Sequence, residues 1–301
     1  MTPPSETGAR SLLTFGVFAD AHYAPITYAD RYCADSIEKL KVCIDAFNAR
    51  DLSLAVNLGD SVDACGSVDE GLAYLAEFGE TFARFRGERR LVLGNHDLET
   101  FTKQQFVENC GVDGAKAYGS FDHGGVHFAV LDGNCHEDGT DFAAGDYDWA
   151  DSWVADEQVA WLADDLAGAA GWPVVVLCHE CLDQPEGKPA DPHVVRNHDA
   201  VRSVIERAGN VAVVIQGHCH PGRHRVLNGI PYITLAAMCV GPGLGNNAFA
   251  IMSIGEGAIE VEGFGRQESF RLRCGGKEEE SADEKARPAT RTAGKKAGME
   301  K

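Results

Sequence analysis

Basic residues are scarce in this 301-residue chain: 27 Lys and Arg stand against 46 Asp and Glu, a net charge of −19 at pH 7. A surface this acidic argues against a nucleic-acid polymer or an anionic membrane as the main partner. It does not bar an anionic small substrate, because bound cations reverse the field locally. No apolar stretch approaches membrane-spanning length, and the opening Met1–Ser11 segment has neither an apolar run nor more than one basic residue. A secretory signal and a spanning helix are therefore not expected, and the cytoplasm is the default location. The ten cysteines include no paired C-x-x-C set of the zinc-ribbon kind. The one C-x-x-C, Cys178-His179-Glu180-Cys181, closes a strand rather than opening a helix, which does not suit a thioredoxin-like pair. Most of these thiols read as small core residues in a reducing compartment. Internal repeats are also missing.

What is present is 44% hydrophobic residues, enough for a sizeable core in one large α/β domain or two small ones. Strand and helix patterns alternate up to about residue 216. Short apolar runs are predicted as strands at 12–19, 52–58, 90–93, 117–122, 126–132, 174–178 and 211–215. Ile37, Leu40, Ile44 and Phe47 recur at steps of three and four, which predicts a helix from about Asp30 to Arg50. Val68, Leu72, Leu75, Phe78 and Phe82 mark a second helix, and shorter ones are expected over 102–110, 156–169 and 198–208. Thr102 is placed to cap its helix. After residue 216 the period changes to two. Asn228-Gly229 is a strong hairpin signal, and strands follow at about 248–254 and 258–264. Residues 1–11 read as a loose end, 12–273 as the folded domain, and 274–301, rich in Lys, Glu, Ala, Arg and Gly, as a disordered tail.

Five predicted strands end in side chains that bind metals or handle protons: Asp20 and His22; Asp60; Asn95 and His96; His179; His218 and His220. In open α/β sheets, sites form outside the carboxyl ends of strands, so five such ends can converge. The i, i+2 spacing of Asp20/His22 and of His218/His220 would aim each pair to one side in extended chain. Mixed imidazole and carboxylate suit zinc, iron or manganese rather than calcium. Singly, an Asp after a strand is most often a turn former or helix cap, and a lone His a satisfied core residue. That reading does not account for five ends at once.

Taken in order, Asp-x-His, Gly-Asp, Gly-Asn-His-Asp, His and Gly-His-x-His resemble the calcineurin-like metallophosphoesterases from Asp20 to His220. The resemblance implies a four-layered α/β/β/α sandwich of two mixed β-sheets and a binuclear centre of divalent or trivalent manganese, iron or zinc. By motif, Asp20, His22 and His220 would hold one ion, Asn95, His179 and His218 the other, and Asp60 would bridge them. The implied reaction is attack of a metal-bridging hydroxide on the phosphodiester or pyrophosphate of a small molecule. His96 would serve the leaving group, with Asp97 either orienting it or capping the next helix.

Phe18-Ala19-Asp20, Arg31-Tyr32, Val56-Asn57-Leu58-Gly59-Asp60 and Val92–Leu98 are similar to the manganese-dependent ADP-ribose/CDP-alcohol diphosphatase branch, although His22 stands where that branch commonly has glutamine. A phosphomonoesterase or phosphoprotein phosphatase of the same fold is the alternative, and the former needs an extra cation, for which Arg31, Arg196, Arg223 and Arg225 are available. A non-catalytic interaction module would be expected to lose ligands, and all seven are here. Substrate contacts are expected from Arg31 and from the long aspartate- and aromatic-rich loop 133–155, where Tyr147 and Trp149 could stack on a base. Further contacts are expected from loops 183–198, with His193 and His198, and 237–247. Between the ligand histidines, Cys219 is either a sulfur ligand or a core thiol.

Overall fold

The computed structural model describes residues 11–273 apart from Tyr147 and Glu256. In chain order the elements are β1 (Ser11–Phe18), β2 (Thr27–Tyr28), β3 (Arg31–Tyr32), α1 (Ser36–Ala49), β4 (Leu54–Asn57), α2 (Val68–Phe82), β5 (Glu88–Leu91) and α3 (Lys103–Asn109). They continue with β6 (Gly119–His123), β7 (Val126–Val130), α4 (Asp156–Gly168), β8 (Val174–Leu177), α5 (His198–Ala208) and β9 (Val211–Gln216). Five further strands complete the described residues: β10 (Arg223–Leu227), β11 (Ile230–Thr234), β12 (Ala248–Gly255), β13 (Ala258–Gly265) and β14 (Phe270–Arg273). The expected loose end and charged tail lie outside the described residues, except for Ser11, which opens β1.

Two six-stranded mixed sheets result, ordered β14-β13-β12-β1-β4-β5 and β10-β11-β9-β8-β7-β6. Strands β1, β4 and β5 run parallel in the first, and β7, β8, β9 and β11 in the second. Leu13, Phe15, Val17 and Val56 of one sheet bury against Phe128, Val175, Val213 and Ile233 of the other, with Phe15 and Phe128 edge to face at 5.6 Å. On the outer face of the first sheet, α1 and α2 pack Leu40, Ile44, Phe47, Leu75 and Phe82 around Phe18. On the outer face of the second, α4 and α5 place Leu162, Leu166, Val201 and Ile205 over Val174, Val176 and Val214. This is the α/β/β/α sandwich that the resemblance implies.

Local chemistry accounts for most boundaries. Ser67 caps α2 by accepting from the Glu70 amide, and Thr102 and Gln105 form a full capping box on α3. Asn228 and Gly229 both take positive φ, 50° and 81°, as a type I′ hairpin turn requires. One expectation is corrected. The helix predicted from Asp30 starts at Ser36, because no apolar periodicity precedes Ile37, and residues 27–32 pair instead as the β2–β3 hairpin. A strand at 270–273 was also too short to register in the sequence.

Candidate metal centre

The carboxyl ends of β1, β4, β5, β8 and β9 all open onto one place. After β1 and β4 the chain turns without extended backbone: Asp20, His22 and Asp60 have φ of 56°, 48° and 53°, and after β9 His218 has φ of 67°. Four of the eight described non-glycine residues with positive φ are therefore here. Each such residue costs on the order of 1–3 kcal/mol, which the surrounding structure must offset. The same fact corrects the i, i+2 reasoning: left-handed turns, not extended chain, aim these side chains. The turns are locked to one another, with Asp20 N–H donating to Gly59 O at 3.1 Å and His22 N–H to Asp60 O at 2.8 Å. Glycines permit the approach. A Cβ on Gly59 would lie 2.7 Å from His179 Nδ1, and one on Gly94 would collide with Asp60. Gly94 thus serves closeness to Asp60 rather than a positive φ.

Asp60 is central. Its Oδ2 lies 3.1 Å from His179 Nε2 and 3.3 Å from His22 Nε2, while its Oδ1 accepts from the His96 amide at 2.8 Å. His22 Nε2 is 3.2 Å from His220 Nε2 and 3.9 Å from Asp20 Oδ1, and Asp20 Oδ1 is 3.6 Å from His220 Nε2. Two triads of donor atoms share one carboxylate: Asp20, His22 and Asp60, and Asp60, His179 and His218. Asp20 Oδ2, Asp60 Oδ2, Asn95 Oδ1, His179 Nε2 and His218 Nε2 are buried without a hydrogen bond. Buried polar atoms are seldom left so. Five of them, each an oxygen or imidazole nitrogen with a lone pair and all on the strand ends that meet at Asp60, fit cations.

Electrostatics agree. Burial opposes charge on Asp60, yet His179, His22 and His96 hold its carboxyl well below the usual range. Burial and then the His22 ring push His220 down to about 3, and burial takes His218 well below its ordinary value, so both are neutral donors. His179 is drawn well above its ordinary value, against burial, by the Asp60 carboxylate 3.1 Å away. Burial, before any neighbour, raises Asp20 to about 6. Two ring orientations are fixed from behind. His179 Nδ1 donates to Leu58 O at 2.7 Å, and His22 Nδ1 meets Asp63 Oδ2 at 3.0 Å. Each leaves Nε2 facing the centre.

His96 stands at the edge, 4.6 Å ring to ring from His22, with Nδ1 2.9 Å from Glu99 and 3.6 Å from Asp63. Burial would lower it, but Asp60, Asp63 and Glu99 outweigh that and lift it to about 10. Asp97 does not orient it. That carboxylate accepts from the amides of Asp60 (3.0 Å), Ser61 (2.8 Å), Val62 (3.3 Å) and Gly94 (3.0 Å), tying two strand ends together. Nor does it cap the helix at 103, which Thr102 does.

Arg31, brought in by the β2–β3 hairpin, donates to Asp63 at 3.1 Å and lies 3.5 Å from His96 Nε2. Trp149 is half exposed, 6.0 Å ring to ring from His218. Tyr147 lies outside the described residues. Cys219 turns from the centre to pack on Cys181 and Val194, with Sγ 3.5 Å from Arg223. Arg196 is paired with Asp151, and Arg223 and Arg225 with Asp183. Sequence reasoning missed Asp63, Glu99 and Cys239, the last of which groups with His22 and His220.

Comparison with known proteins gives the same family. Residues 13–222 match the calcineurin-like phosphoesterase model. A manganese-dependent ADP-ribose/CDP-alcohol diphosphatase of Arabidopsis thaliana is 23% identical over 86% of this chain and 96% of its own. Among solved structures, a dimetal phosphatase from Danio rerio superposes with a TM-score of 0.74 at 20% identity, covering 88% of this chain and all of that one. A purple acid phosphatase from yellow lupin (Lupinus luteus) does so with 0.56 at 14% identity, over 87% of this chain and 53% of its own.

Proposed function

The chain belongs to the calcineurin-like phosphoesterase family, and on that premise we propose that it hydrolyses a small-molecule phosphodiester or pyrophosphate at a two-metal centre. Its ligands are Asp20, His22 and His220 for one ion, Asn95, His179 and His218 for the other, and Asp60 between them. The observation that carries this reading is the set of five buried, unbonded ligand atoms on Asp60 and the strand ends beside it. Ions of manganese, iron or zinc suit that donor set; bound there, they activate water as a nucleophile and draw charge from the phosphoryl oxygens.

The chain's own residues do the rest. Asp63 and the Leu58 carbonyl hold two ligand imidazoles in register. His96, anchored through Nδ1 by Glu99 and kept protonated by three carboxylates, has its other nitrogen, beside Arg31, to donate to the departing oxygen. Arg31 lies beside that nitrogen and favours negative charge on the substrate there.

A monoester brings a second negative charge and calls for an uncommitted cation. All four arginines weighed for that task are bound to carboxylates, which favours the diester or pyrophosphate. Nucleoside-diphosphate compounds of the kind named for the Arabidopsis relative, ADP-ribose and CDP-alcohols, are the first to test. A small phosphorylated substrate, rather than a nucleic-acid polymer or a membrane, also suits the net charge of −19. Nine described cysteines are all free, which supports a reducing compartment such as the cytoplasm. No helix among the described residues is long and apolar enough to cross a membrane.

Replacing Asp60 with Asn tests the centre. Hydrolysis of bis(p-nitrophenyl) phosphate should fall at least a hundredfold, and bound metal, counted by elemental analysis, should drop. A variant with full activity and full metal content refutes the assignment.

A further inference from the structure

Beside His218 stands an imidazole that the ligand set does not use. His193 lies in the loop between β8 and α5. Its Nδ1 is 2.8 Å from Asp191 Oδ1, and its own amide donates to the same oxygen at 3.0 Å. Asp191 is gripped in turn from β10. Arg223 Nη1 donates to Asp191 Oδ2 at 2.6 Å, while Arg223 Nε and Nη2 reach both oxygens of fully buried Asp183 at 2.9 and 2.7 Å. Arg225 completes the clamp, donating to Asp183 Oδ2 at 2.7 Å. A rigid strand therefore fixes, through two carboxylates and two guanidinium groups, the one side chain from which His193 hangs.

The tautomer follows. Burial works against charge on Asp191, but the His193 amide and ring and Arg223 hold its carboxyl down to about 2. An ionised carboxylate only accepts, so Nδ1 of His193 carries the hydrogen, which in a neutral imidazole leaves Nε2 as the acceptor. Among the described residues that Nε2 makes no hydrogen bond, and a third of the side chain is open to solvent. His127, by contrast, spends both nitrogens, on Asp122 and Asp165. His193 instead lies 5.4 Å ring to ring from the ligand His218, tilted at 69°, and 5.4 Å from Trp149, whose indole is half exposed. An oriented ring nitrogen and a flat apolar face thus stand together at the rim of the centre.

We propose that His193 is a specificity residue that accepts a hydrogen bond from a hydroxyl of the substrate, with Asp191 and Arg223 as the residues that position it. The inference rests on the phosphoesterase reading above. Ionised phosphate oxygens have no hydrogen to give to a lone pair; the sugar or alcohol halves of small diesters and pyrophosphates do. Trp149 covers the carbon face of the same moiety.

The test uses the full manganese-loaded chain and His193→Ala. The kcat/KM for hydroxyl-bearing CDP-choline, CDP-glycerol and glycerophosphocholine should fall about five- to tenfold, chiefly through KM. Bis(p-nitrophenyl) phosphate, which has no hydroxyl, should lose less than half as much. Asp191→Asn should shift the two classes in the same direction, and His193→Gln, which keeps a polar terminus, should recover part of the difference.

Two comparisons locate the hydroxyl. If the wild type favours CDP-choline over its 2′,3′-dideoxy analogue and His193→Ala does not, the ribose supplies it. If the preference lost is that for CDP-glycerol over CDP-choline, the alcohol half does. Equal losses on hydroxylated and hydroxyl-free substrates, or unchanged selectivity, overturn the assignment of His193 while leaving the phosphoesterase reading intact. A wild-type protein inactive on every one of these esters overturns both.

Discussion

Asp63 shows how much of the centre depends on a residue that binds no metal in the assignment above. It meets His22 at 3.0 Å and Arg31 at 3.1 Å and lies 3.6 Å from His96, so one carboxylate orients a ligand, the proton donor and the nearest guanidinium. Removing such a support typically costs 10- to 100-fold in metal affinity or activity. Asp63→Ala should therefore weaken manganese binding by about that factor, read by titration calorimetry, and slow turnover as well. Unaltered affinity would show that His22 keeps its orientation unaided. His96→Ala should behave differently: turnover falls about 10²–10⁴-fold while elemental analysis finds both metals retained. Loss of a metal in that variant would make His96 a ligand and not a proton donor. The sequence hid these partnerships for a geometric reason. Asp97 adjoins His96 in the chain and so looked like its partner. His96–Leu98 is instead a turn of 3₁₀ helix, in which residues three apart eclipse, and this sets Glu99 beneath His96 and sends Asp97 inward to four amides.

Between elements, polar contacts outside the centre carry their own pH dependence. His127 on β7 reaches Asp122 on β6 at 2.7 Å and Asp165 on α4 at 2.9 Å, pinning that helix to the outer face of its sheet. Burial would lower the imidazole, but Asp165 and Asp122 outweigh it and raise it above its ordinary value. A raised folded value means that the folded state holds the proton more tightly than the unfolded chain. The stabilisation is then complete below about pH 6.5, the unfolded value, and disappears as pH rises through the folded one. With Asp122 largely in solvent, its size is about 1 kcal/mol or less. The gap between thermal melts of wild type and His127→Gln should be largest below about pH 6.5 and narrow as pH rises above it; a gap that widens with pH would reverse the sign. Periodicity made α1, α2, α4 and α5 legible, and the Asn228-Gly229 turn made its hairpin so. The β2–β3 hairpin and β14 were not, because a two-residue strand and a four-residue edge strand bury too little to leave a pattern.

At the scale of the whole molecule, the acidic composition and the chemistry of the centre have to be reconciled. The chain carries −19, yet only two of the seven proposed ligands, Asp20 and Asp60, bear a carboxylate, and both are buried. Two divalent cations would leave that spot positive within an otherwise negative surface, which draws a phosphate to one place and no other. The same cations would satisfy buried donor atoms that nothing else in the described structure satisfies, so metal binding should also be folding energy. Saturation at a hundred times the dissociation constant contributes about 2.7 kcal/mol per site. A domain of this size gains roughly 2–4 °C for each kcal/mol. Manganese added to metal-stripped protein should therefore raise the melting temperature by about 5–10 °C or more, and Asp60→Asn should lose most of that gain. Potassium chloride at equal ionic strength separates this from general screening of a highly charged chain, which acts on every acidic group alike. A rise with potassium chloride as large as that with manganese, and equal in wild type and Asp60→Asn, would assign the stabilisation to net charge rather than to the centre.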